Sequence, residues 1–330
     1  MKKSIISILI LSLLILTLSG CTYNAEKYVF GTYYSIKIEG SNSNSLGKDI
    51  DSLLQTMDKT LSTNVIESDI CKINNAKANE WIKVSSLTAD LFKLSKELYV
   101  KTNKAFNPAL FPLVELWKFS PSTYVGIENS IPSSSEIQKV LLYCAFELFE
   151  LDEADNYIIK RHDLAKIDFG AIAKGYAADK AYEIAKNSKN AIVDIGRTIK
   201  VKNSTSIFVA DPREGDFVAK ATIKEQAIAT SGDYERYYII DGIRYHHIID
   251  TNGYPSGLGS TSPIISATII GESATVCDAL STASMVLGYA EIKPIVEEYG
   301  YSALLITEAG YYTIGEQIFE IQDNTRQKLN

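Results

Sequence analysis

The amino-acid sequence predicts an α+β fold, with largely antiparallel or mixed sheets flanked by helices. Three observations predict it. Helical spacing of apolar residues dominates before residue 146, the chain turns strand-rich after it, and the two kinds of segment are partly segregated rather than regularly alternating. With 330 residues and 46% hydrophobic content, the chain can bury a full core.

The elements follow in order. Residues 22–27 read as a short tether. Tyr28 to Glu39 alternates around Thr32-Tyr33-Tyr34-Ser35-Ile36-Lys37-Ile38 and reads as a strand. From Lys48 to Leu61 the set Ile50, Leu53, Leu54, Met57 and Leu61 has helical spacing, and Thr88 to Thr102 repeats the pattern. Ser134 or Ser135 caps a third helix running to about Cys144. Phe146–Leu151 and Tyr157–Arg161 flank a turn and read as a hairpin. Lys166–Phe169 reads as a short strand feeding a helix from about Ile172 to Lys186. Strands are expected near 191–195, 207–210, 218–223, 237–240, 245–249 and 262–270, with helices near 274–287 and 291–299 and further strands at the C-terminus.

Composition excludes some functions. A formal charge of −7 with no basic stripe argues against nucleic acid as a partner, because phosphate backbones demand clustered Lys and Arg. Only three histidines are present and no CxxC pair, which argues against a zinc or iron–sulfur centre. Cys71, Cys144 and Cys277 read as buried small hydrophobes, one disulfide being the alternative.

At the N-terminus, Lys2 and Lys3 precede an apolar run from Ile5 to Leu18, too short for a comfortable membrane span. Leu18-Ser19-Gly20-Cys21 follows and resembles a bacterial lipoprotein signal. Residues 1–20 are therefore expected to be a signal peptide. Cys21 is expected to be the acylated residue, holding residues 28–330, the functional domain, outside the cytoplasm on the cell membrane.

Four regions place polar groups where packing alone would not need them. Asp168-Phe169-Gly170-Ala171-Ile172-Ala173-Lys174 is a strand, a glycine turn and a helix start, which exposes backbone groups beside a cation and suits a diphosphate. Asp278 and Thr282 are one helical turn apart, and their oxygens suit Mg2+; a capping Asp and a Thr bonding its own helix is the alternative. Ala229-Thr230-Ser231-Gly232-Asp233-Tyr234 reads as a small-residue turn, followed by His246, His247 and Asp250. Adjacent strand residues face opposite ways, so one histidine at most joins Asp250 as an acid–base pair; a solvent-facing histidine beside a turn Asp is the alternative. The fourth region runs from Lys104 through Asn107-Pro108 to Trp117, with aromatics that by themselves read as core rather than as a cofactor box.

In matching order along nearly the whole mature chain, these segments resemble the FAD:protein FMN transferase (ApbE) family. Phe30-Gly31-Thr32, Ala105-Phe106-Asn107-Pro108 to Trp117, Asp168 to Tyr176, Ala229 to Tyr234, His247 to Pro255 and Asp278 to Ala283 carry the resemblance. It implies that the Ala171 carbonyl, Asp278 and Thr282 hold Mg2+ on the diphosphate of FAD. It further implies that Phe30, Asn64, Ala105, Phe106, Asn107, Asp168, Lys174, Ser231, Gly232 and Ile249 line the FAD site, and that His247 and Asp250 take part in proton transfer. The implied reaction places FMN on a Thr or Ser of a partner flavoprotein and releases AMP. Phe30, Asn107 and Asn64 depart from the family pattern, in which Met, Asp and Tyr are usual. The small Asn64 implies that water competes with the acceptor, so an FAD pyrophosphatase is the first alternative. A non-catalytic flavin-binding lipoprotein is the second.

Overall fold

In the computed structural model, the described residues are 21–330 except 121, 125–130, 214, 317 and 324. The expected signal peptide lies outside them. The chain opens with a hairpin of β1 (Thr22–Val29) and β2 (Thr32–Glu39), then helices α1 (Ser43–Leu61) and α2 (Asp69–Asn75). Strand β3 (Trp81–Lys83) precedes α3 (Ser86–Lys101), α4 (Phe111–Leu116) and α5 (Ser134–Leu141), and the hairpin β4 (Phe149–Asp152) and β5 (Tyr157–Lys160) follows. After α6 (Ala173–Ala185) come β6 (Asn190–Ile195), β7 (Thr198–Val201), β8 (Thr205–Ala210), β9 (Phe217–Ile223) and β10 (Ala227–Gly232). The remainder is β11 (Tyr237–Ile240), β12 (Ile243–His246), β13 (Ser266–Gly271), α7 (Ala274–Glu298), β14 (Ser302–Ile306), β15 (Gly310–Ile314), β16 (Phe319–Ile321) and β17 (Gln327–Lys328).

Nine strands form the main sheet in the order β1-β2-β6-β7-β10-β13-β14-β15-β17. All its pairings are antiparallel except β15 with β17, as the α+β prediction requires. Period-two alternation sorts its side chains into two cores. Tyr34, Ile36, Ile38, Val193, Ala229, Ile269 and Leu305 face the layer of α1, α6 and α7. Val201, Ile228, Ile270 and Leu304 face the small sheet β16-β9-β8 through Val209, Val218 and Phe319. A third cluster joins Leu113, Trp117, Phe119 and Ile137 to Tyr238, Tyr245 and Ile249 below the β11-β12 hairpin.

Several expectations change. Residues 22–27 are no loose tether but most of β1, because Tyr23 lays its ring on Gly47 and its hydroxyl reaches Asp51 at 2.5 Å, while Lys27 pairs with the same carboxylate. The single strand over 28–39 is broken by a two-residue turn at Phe30 (φ 51°) and Gly31 (φ 72°), the left-handed pair that closes tight hairpins. Residues 229–232, expected as a turn, lie inside β10, where small side chains fit against the helices. Lys166–Phe169 is extended but unpaired, since Ile167 bonds the side chain of Asn74 instead of a strand. The last two expected helices run together as α7, broken at Gly288 (φ 72°, ψ −179°). Cys71, Cys144 and Cys277 are buried and unbridged.

Candidate active site

Gly175 lets α6 and α7 touch. A β-carbon there would lie 2.3 Å from the Ala274 carbonyl oxygen and 2.8 Å from the Asp278 β-carbon. The close approach puts the Asp278 carboxylate, 3% exposed, at the start of α6, where its Oδ2 accepts from the Gly175 amide at 3.0 Å. Lys174 Nζ lies 3.4 Å from the same oxygen and donates to the Gly170 carbonyl at 3.0 Å. Thr282, one turn further along α7, meets Ser231 Oγ at 3.1 Å, and Ser231 also bonds Ser281 at 2.7 Å. The glycine turn, the late helix and the end of β10 thus converge.

Asp179 sets the register of the two helices. Its carboxylate accepts from the Ala274 and Thr275 amides and from the Ser273 and Thr275 hydroxyls, and it pairs with Lys200 at 2.6 Å. Burial alone would raise its pKa, yet Lys200 and these donors hold it below the ordinary value.

Asp168 lies beside this junction. Its amide donates to the Pro108 carbonyl at 3.0 Å, which brings the 105–108 segment to the glycine turn, and Oδ1 accepts from Gly170 at 3.1 Å. Burial raises the Asp168 pKa, against the charges of Arg236 and Lys174. Arg236 donates to the Phe119 carbonyl at 2.7 Å, and its own amide oxygen accepts from the His247 amide at 3.0 Å. His247 Nδ1 is buried with no hydrogen-bond partner among the described residues. Burial first, then the Arg236 charge, pushes its pKa well below the usual imidazole value, so the ring is neutral. His246, the last residue of β12, is spent on the Ser256 carbonyl at 3.0 Å.

The remaining candidates divide. Asp250 Oδ1 accepts from the Asn252 and Tyr254 amides, a turn function, and no hydrogen bond joins it to His247 among the described residues. Asn107 caps the turn at Ala109 and donates to the Cys144 carbonyl. Ala105, Phe106 and Ile249 are 3%, 1% and 4% exposed, so a ligand would meet them chiefly through backbone atoms. The Phe30 amide donates to Asp58 at 2.9 Å. Gly232 admits the Tyr234 ring, and Asn64 stands exposed in the loop after α1. Sequence reasoning passed over Arg236, Asp179, Asp58 and Ser281; of these only Ser281 sat inside a segment already singled out.

Hard oxygens dominate the junction. Among the described residues no cluster of three or more His, Cys, Asp or Glu exists to bind a softer metal. Buried Asp278 with the Thr282 hydroxyl and the turn's carbonyls fits a cation that takes few protein ligands.

Comparisons with known proteins identify the family. The model of the ApbE family matches residues 30–305. The chain is 28% identical to a FAD:protein FMN transferase of Vibrio cholerae, covering 93% of this chain and 96% of that protein, and 27% identical to one of Treponema pallidum, covering 86% and 84%. Among solved structures it resembles the ApbE protein of Thermotoga maritima (TM-score 0.79, 30% identity, 92% of this chain and 98% of that one). It also resembles the flavin transferase ApbE of Vibrio cholerae (TM-score 0.78, 25% identity, 90% and 98%). Fold, site and relatives together define a transferase. The chain belongs to the ApbE family.

Proposed function

We propose that the chain is a Mg2+-dependent FAD:protein FMN transferase that attaches FMN to a Thr or Ser of partner flavoproteins. One observation carries the reading: Asp278 reaches across to the first turn of α6 at Gly175 and Lys174, with Thr282 one turn beyond it. Asp278, Thr282 and the Ala171 carbonyl would hold Mg2+, which offsets charge on the phosphate oxygens when bound. Lys174 faces the same oxygens and stabilises the charge that develops as the diphosphate bridge breaks. The partner's hydroxyl oxygen forms a bond to the FMN-side phosphorus, the bridging P–O bond breaks, and AMP leaves. Neutral His247 takes the hydroxyl proton. Residues 168–174 and 105–108 seat the dinucleotide, and Ser231 orients Thr282.

The test mixes purified protein, FAD, Mg2+ and a flavoprotein acceptor, then follows covalent flavin fluorescence and AMP. Both are expected, and both vanish when Mg2+ is chelated or in Asp278→Ala, whose circular dichroism stays that of the parent. AMP without covalent label would make the protein a pyrophosphatase, the outcome that the exposed Asn64 loop favours. Binding without either product would make it a flavin carrier.

Cys21, exposed at the first described position, is proposed to bear the acyl chains that hold the protein on the outer side of the cell membrane. Incorporation of labelled palmitate, lost in Cys21→Ala, tests this; an unlabelled parent chain overturns it.

A further inference from the structure

We propose that β1 is a rigid strut that presses one end of the main sheet onto the bilayer and holds the active site at the other end, facing away from the lipid. The inference rests on the acylation of Cys21 proposed above. It begins with the lack of slack after that residue. Cys21 accepts from the Gly40 amide at 2.9 Å, and Thr22 already pairs with Glu39. Tyr23 is held by Gly47 and Asp51, and Lys27 by Asp51. An anchored Cys21 therefore keeps the Cys21–Gly40 end of the sheet close to the lipid.

The register shows what lies at each end. Glu39 pairs with Asn190, the Lys189 amide donates to the Glu39 carbonyl, Lys202 reaches the Ser188 carbonyl, and the Glu225 amide donates to the Lys202 carbonyl. The turns after β2, α6, β7 and β9 thus gather beside Cys21. At the opposite end stand Phe30, the Gly196-Arg197 turn and the Ser231-Gly232 end of β10. Two elements measure the separation. Strand β1 spans eight residues, on the order of 25 Å at about 3.3 Å each. Helix α6 runs from Lys174 at the site to the Lys186–Lys189 turn over 13 residues, on the order of 20 Å.

A headgroup surface suits the anchored end. No exposed large hydrophobic side chain lies in these turns among the described residues, so the end rests on headgroups without inserting. An acceptor hydroxyl must then be presented well above the bilayer.

The experiment places an environment-sensitive dye at Lys224→Cys or Tyr33→Cys in the acylated chain. It measures quenching by headgroup-attached spin labels in vesicles of phosphatidylcholine and phosphatidylglycerol. Quenching is expected to be several-fold stronger at position 224 than at 33. Inserting a flexible Gly-Ser segment between Cys21 and Thr22 should bring the two positions close to parity. Equal quenching in the chain without the insert overturns the strut. If the native chain bears no lipid, a maleimide lipid on the Cys21 thiol, with the dye carried on an azide-bearing residue at position 224 or 33 in place of the cysteine, keeps the same comparison, so failure of acylation and failure of the strut give different results.

Discussion

At the residue scale, the site depends on one missing side chain and one unpartnered nitrogen. Gly175 is required because any β-carbon meets the Ala274 carbonyl at 2.3 Å, and α7 must then retreat. Gly175→Ala is expected to cost about 1–3 kcal/mol in denaturant unfolding, with a larger proportional loss in flavin transfer as Asp278 moves from Lys174. A fully active, equally stable variant would show that the helices have room. His247 makes a prediction about pH. Its folded pKa is lowered, so the ring stays unprotonated down to pH values below the ordinary imidazole range. The acid limb of kcat/KM is therefore expected well below pH 6.5, and His247→Asn should lose that limb together with most of the activity. An acid limb at the ordinary imidazole value would mean that another group accepts the proton.

At the scale of elements, Asp179 joins α6 to the first turn of α7 and to β7 through Lys200. Asp179→Ala would leave Lys200 and several donors of the α7 start without their acceptor, at a cost of about 3 kcal/mol. The lowered pKa fixes the sign of the pH dependence. Its contribution is fully present above the unfolded-state value and is lost as pH falls through the folded one, so parent and variant should converge in stability under acid. Urea midpoints at pH 7 and pH 3 check this; a constant difference would place the effect elsewhere. The amphipathic helices α1 and α3 were legible because their apolar spacing needs no partner to be seen. Strand β10 was not, because Ala229, Thr230, Ser231 and Gly232 have turn-like composition, and only the flanking β7 and β13 make them a strand.

At the scale of the whole molecule, helices cover one face of the nine-stranded sheet and a small sheet covers the other, so the site sits on a stiff support. Strand β1 belongs to that support. Deleting residues 22–27 removes pairing to β2 and leaves Asp51, 6% exposed, without Tyr23 and Lys27. The melting temperature is expected to fall by several degrees in calorimetry; an unchanged value would restore these residues to the role of a spacer. The sequence by itself determined the class of fold and the ordered family segments, among them Asp278 and Thr282 one helical turn apart, because periodicity and spacing are local properties of the chain. Only the tertiary structure decided that Asp278 meets the start of α6, that the Arg236 charge acts on both Asp168 and His247, and that Asp250 serves a turn. Those contacts join residues that are distant along the chain or turned by the local backbone, and packing brings them together where no local pattern records it.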